Sequence, residues 1–158
     1  MKTLLGWTLA AVVALGGVSL AQSSGKKAGV AGAASEKLVG AWRLAWMEEP
    51  GPDGKLIHIS NRTGMLLYTR DGHMSVQIMF PPSESALSND YVKSGYEASF
   101  GSYEVNEAAH TVTHHVQGSI TRGLVGKDLS RAYQFSDGHL IIRSTRPDEH
   151  WSVGWERY

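Results

Sequence analysis

Seven histidines, six tyrosines and a few arginines are the side chains with chemistry to offer in this 158-residue chain, and there is no cysteine. Without Cys there is no thiol nucleophile, no cysteine–zinc site and no redox pair. His114 and His115 are adjacent, so on a strand they point to opposite faces and cannot share one ion. His58, His73, His110, His139 and His150 sit in or beside turns without ligand spacing, so neither metal nor cofactor is expected. No G-x-S-x-G nucleophile elbow is present.

What remains is a set of polar side chains set into apolar alternation. Tyr68, Tyr103, His114, Arg131 and Tyr133 fall on the apolar faces of β-prone runs, with Met74 and Val112 beside them. Arg131 suits a bidentate grip on a ligand carboxylate, or else emerges at a rim and is solvated. His114 opposite Tyr103 reads as a satisfied interior pair, or as a pair that moves a proton near neutral pH. Tyr68 and Tyr133 read as core residues or as ligand contacts.

The elements that must position these residues are strands. Residues 38–47 alternate, with Leu38, Trp42, Leu44 and Trp46 on one side, until EPGPDGK stops the run. Residues 64–80 hold two β-prone runs around Arg70-Asp71-Gly72, a hairpin signal: a three-residue turn closed by Gly72 pairs Tyr68 with Met74 and Leu66 with Val76, and a two-residue turn shifts the register by one. Residues 100–118 form a second hairpin in which Val105 faces Val112 and Tyr103 faces His114, since slipping it by one would invert both faces. Residues 129–145 form a third around Asp137-Gly138, and 151–158 make a closing strand with Trp151, Val153, Trp155 and Arg157 on one face. Between the first two hairpins runs a polar passage with a short helix expected around 89–97, either a lid or plain connection. Eight strands without a covering helix must bury their apolar face against each other. A closed antiparallel up-and-down β-barrel, with a short helical or irregular insertion, does this and removes the edges.

Formal net charge is zero, and no basic stripe points to nucleic acid or anionic lipid. Lys2, the apolar stretch from Leu4 to Leu20, and the small residues Ser19 and Ala21 read as a signal peptide over residues 1–21. The expected protein is therefore periplasmic or secreted, with no stable membrane anchor after cleavage. Residues 22–35 read as a flexible leader, and residues 36–158 as one domain.

Gly40-Ala41-Trp42 resembles the G-x-W signature of the lipocalins and the wider calycin superfamily. In that fold the Trp closes the bottom of the barrel and an Arg near the end of the last strand packs across it, which implies structural closure by Trp42 and Arg157. More specifically, LVGAWRL, GMLLYTRDGHMSVQIM, FGSYEVNEAAHTVTHHVQGS and WERY, in that order, resemble the bacterial and fungal lipocalin-like domain family. The one departure is Arg70, where members usually carry Pro in a Y-T-P-D-G turn. The resemblance implies the fold firmly and the function loosely, because the fold hosts both carriers and enzymes.

An eight-stranded barrel is just wide enough to fill with side chains or to hold one small ligand. The leading expectation is an exported protein that binds a small, largely hydrophobic molecule, with Tyr68, Met74, Tyr103, Val112, His114, Arg131 and Tyr133 as ligand contacts. The alternatives are a cofactor-free isomerase or cyclase using Tyr103 and His114, and a filled barrel acting as a structural or interaction domain.

Overall fold

The computed structural model describes residues 32–158. The expected signal peptide and residues 22–31 of the expected leader lie outside the described residues. The chain forms α1 (Ala33–Leu38), β1 (Gly40–Pro50), β2 (Leu56–Ile59), β3 (Thr63–Tyr68), β4 (His73–Met79), β5 (Tyr96–Asn106), β6 (Thr111–Ser119), β7 (Asp128–Ser136), β8 (His139–Ser144) and β9 (Ser152–Arg157). From β3 to β9 each strand pairs with its successor, β1 pairs with β3, and β9 pairs back onto β1. The sheet thus closes as an eight-stranded antiparallel barrel. β2 is an extra strand beyond the eight expected. It pairs with the far half of β1, along the same edge that β3 occupies lower down.

Turn chemistry sets the registers. Gly72 sits at φ 85° and closes the β3–β4 turn, so that Tyr68 meets Met74 and Leu66 meets Val76. Asp137 and Gly138 both take positive φ, as a two-residue hairpin turn requires, and place Ser136 opposite His139. In the β5–β6 hairpin, Tyr103 lies opposite His114 and Val105 opposite Val112.

The three tight turns all fall at one end of the barrel, and the four longer connections fall at the other. The tight end is the floor. Arg157 lies over the Trp42 ring with its guanidinium carbon 3.8 Å from the centroid. It donates to the carbonyls of Val39 (2.7 Å) and Lys37 (2.5 Å), while Trp42 Nε1 donates to Leu38 O (2.8 Å). Those carbonyls belong to the end of α1 and the residue after it, so the helix is fastened under the barrel. The last three residues of the expected leader, Ala33 to Ser35, are thus part of a helix. The cause is nonlocal: Glu107, in the β5–β6 turn, accepts hydrogen bonds from the first-turn amides of Ala34 and Ser35.

Two expectations are corrected. Trp46 does not point inward. A β-bulge between Leu44 and Trp46 shifts the alternation, so Met47 and Glu49 take the inner face and Trp46 lies outside against Gly154 and His58. Residues 89–97 hold no helix; a 3₁₀ turn spans Pro82–Glu84 instead, and β5 begins at Tyr96. Glu97 pairs with Ile78 in that strand, and the ladder to β4 outweighs any local helical preference.

Candidate ligand cavity

The lower half of the barrel is packed and the upper half is not. Above the layer of Tyr68, Met74, Tyr103 and Val112, all buried, lies a cavity of about 300 Å³. Such a volume is at the small end of the range for small-molecule sites. Its barrel wall is apolar: Leu66, Val76, Ile78, Leu129, Ile142, Val153 and Trp155. Phe80, Leu87, Tyr91 and Val92, from the β4–β5 connection, line it from the mouth.

That connection is tied down on two sides. Arg62 holds Glu49 through two hydrogen bonds of 2.9 Å and reaches Glu84 Oε2 at 2.7 Å, with its guanidinium 4.2 Å from the Phe80 ring centroid. On the other side Tyr91 Oη donates to Glu149 Oε1 at 2.8 Å. The Glu149 carboxyl is raised by burial, but hydrogen bonds from Ser144, Tyr91 and Trp151 and the charge of Arg146 outweigh this and hold it below the usual range.

Three polar side chains face the cavity with bonding capacity to spare. Arg131 is only 7% exposed at its side chain, and its guanidinium lies between the Tyr91 and Trp151 rings, 5.1 and 4.9 Å from their centroids. Glu149 Oε2 is 4.0 Å away, the Tyr91 hydroxyl takes one side-chain hydrogen bond from the guanidinium, and the bond Arg131 donates to Ser130 O is long, 3.4 Å. Most of its five N–H donors are thus unspent.

His114 Nε2 lies 2.7 Å from Tyr68 Oη. Burial and the nearby charges of Arg131 and His115 push the imidazole down to about 3, so it is neutral. Burial likewise raises the Tyr68 phenol, which keeps its proton and has no second acceptor for it among the described residues. Tyr68 therefore donates to Nε2, and His114 Nδ1 carries the remaining proton without a protein partner among the described residues. Glu97 completes the set. Burial pushes its carboxyl up to about 7, against the pull of Arg131, and no group among the described residues hydrogen-bonds to it.

The profile of the lipocalin-like domain family matches residues 39–157, nearly all of the described chain. The chain belongs to the lipocalin-like domain family. Among solved structures it is similar to a lipocalin-like protein from Bacteroides uniformis ATCC 8492, with a TM-score of 0.47 and 12% identity over 77% of this chain and 98% of that one. It is also similar to an uncharacterized protein from Bacteroides eggerthii DSM 20697, with a TM-score of 0.46 and 15% identity over 77% and 99% of the two chains. A mutant of the fluorescent protein UnaG gives a TM-score of 0.40 and 16% identity over 78% and 97%. No curated protein matches the chain.

In this lipocalin-like protein the seven residues expected to touch ligand divide. His114 and Arg131 reach the cavity; Tyr68, Met74, Tyr103, Val112 and Tyr133 lie below it. Arg131 is not solvated at a rim, because the segment after β8 and the β4–β5 connection fold over it. Tyr103 does not hydrogen-bond His114 although the two are register partners: its hydroxyl donates to Thr69 O at 2.9 Å, and Tyr68 from β3 takes the imidazole. The proton-moving pair expected of Tyr103 and His114 is therefore not assembled.

Glu97, Tyr91 and Trp151 were missed as polar cavity groups, as was Glu149, which holds Tyr91 and Trp151 from behind. Alternation carried back from Tyr103 through Gly101 and Ser99 does put Glu97 on the inner face, but the strand's start is hidden behind the turn at Ser94 and Gly95. Trp151 was expected on one face with Val153 and Trp155, but nothing in the sequence marked Tyr91 or Glu149.

Proposed function

We propose that this lipocalin-like protein binds a small, largely apolar molecule in the upper half of its barrel, with an acidic end of the ligand held by Arg131. The observation that carries this reading is a buried guanidinium on an apolar cavity with most of its donors unspent. Leaving such donors unmade is costly, and a carboxylate satisfies two of them at once. We place this activity outside the cytoplasm, on the strength of Lys2 and the apolar stretch from Leu4 to Leu20.

Displacement of anilinonaphthalene sulfonate from the full chain tests the reading, with dodecanoate and dodecanol as competitors. Arg131→Met keeps the packing against Tyr91 and Trp151 but removes the charge. It weakens dodecanoate by about 10- to 100-fold, the worth of a charged hydrogen bond, and barely changes dodecanol. If acid and alcohol lose affinity equally, Arg131 is only a packing piece and the reading fails.

A further inference from the structure

The cavity holds an anion for which the reading above has no use. Glu97 stands on β5, two strands away from Arg131 on β7, and the two carry opposite charge without forming an ion pair. A carboxylate placed only to balance the guanidinium would close that gap; Glu149 already lies beside Arg131, and Glu97 stays apart. Around Glu97 the wall is Ile78 and Val76 from β4, Phe80 and Val92 from the β4–β5 connection, and Ser99 farther along β5. None of them hydrogen-bonds to it. An ionised carboxylate in such a wall is poorly solvated, and a hydrogen-bond donor brought in by a ligand relieves it.

We infer that Glu97 is a second anchor, which selects ligands carrying a hydroxyl or N–H group in addition to the acidic end held by Arg131. This rests on the carrier reading and narrows it: the ligand class is a hydroxylated or N–H-bearing carboxylic acid small enough for a cavity of about 300 Å³. A plain aliphatic acid satisfies Arg131 but presents only methylenes to Glu97. The hydroxylated acid spends both groups. Of the other ionisable groups lining the cavity, Glu49 is already engaged by Arg62, Tyr91 by Glu149 and His114 by Tyr68.

The test compares dodecanoate with its hydroxy derivatives, the hydroxyl placed near the carboxyl, at mid-chain or at the far end, each displacing anilinonaphthalene sulfonate from the full chain at pH 8. At least one derivative binds about tenfold tighter than the parent acid, as a hydrogen bond to a charged acceptor provides. In Glu97→Leu that preference falls below about twofold, whereas Gln77→Leu, on the outer face of β4, keeps it. Thermal melts confirm that both variants are folded, and Glu97→Gln, which retains an acceptor but not the charge, falls in between. If no derivative outperforms dodecanoate, or the preference survives in Glu97→Leu, the second anchor is refuted while the carrier reading stands. If neither the dye nor any acid binds, both fall.

Discussion

Replacing Glu97 with Gln converts the cavity's buried charge into a measurable dependence of stability on pH. An ordinary Glu carboxyl titrates at 4.5; in the fold this one is pushed up to about 7. Between those values the folded state binds the proton that the unfolded state has released. Glu97 therefore removes stability as pH rises through this window, by an amount on the order of 3 kcal/mol above pH 7. His114 works the other way. Its folded value of about 3 lies below its ordinary 6.5, so its contribution is full above 6.5 and is lost as pH falls toward 3. In the parent chain the two slopes nearly cancel between 4.5 and 6.5. In Glu97→Gln only the histidine slope remains, about 1 kcal/mol per pH unit there. Urea unfolding followed by tryptophan fluorescence at pH 5, 6, 7 and 8 measures both proteins, and the surface carboxylates common to both drop out of the difference. The expected result is a variant whose stability relative to the parent improves by about 2–3 kcal/mol from pH 5 to pH 8. A difference that stays level within about 0.5 kcal/mol would mean that Glu97 is fully hydrated. The cavity would then be an open, wet cleft and the reasoning about its polar groups would fail.

Two further outcomes follow from where the barrel is filled and where it is not. Ile142→Trp fills the cavity and abolishes dye binding with little loss of stability, whereas Val112→Trp, fully buried below the cavity, costs about 1–3 kcal/mol through overpacking. Thermal melts and dye fluorescence separate the two, and identical behaviour would contradict the division into packed and open halves. A Cβ built on Gly154 comes within 2.2 Å of the Trp46 ring, so Gly154→Ala destabilises by about 1–3 kcal/mol in the parent and much less in a Trp46→Ala background. Additive effects of the two changes would show that the bulged Trp46 does not rest on Gly154.

Local signals determined a good deal. Alternation with period two, turns around Gly72, 106–110 and Asp137-Gly138, and the absence of a covering helix were enough for eight strands, closure and the 100–118 register, while the turn at Gly72 left two registers open and the last hairpin was legible only in its faces. The strands and the 100–118 hairpin depend only on residues close together in the chain, and closure followed from the want of any helix to cover so many strands. The Trp42–Arg157 floor was legible through resemblance alone. Its partners Lys37 and Val39 come from the opposite end of the described chain, beyond the reach of any local pattern.

Only the tertiary structure decided the interior. A single bulge after Leu44 exchanged Trp46 for Met47 and Glu49 on the inner face, because one extra residue inverts every side chain beyond it. Closure brought Tyr68 of β3 to His114 of β6, although register alone had set Tyr103 opposite that histidine. Folding residues 80–95 and the segment after β8 over the mouth turned Arg131 from a rim residue into a buried one and left Glu97 facing the cavity. Which half of a barrel fills depends on side-chain volumes summed across all the strands at one level. No stretch of sequence contains that sum.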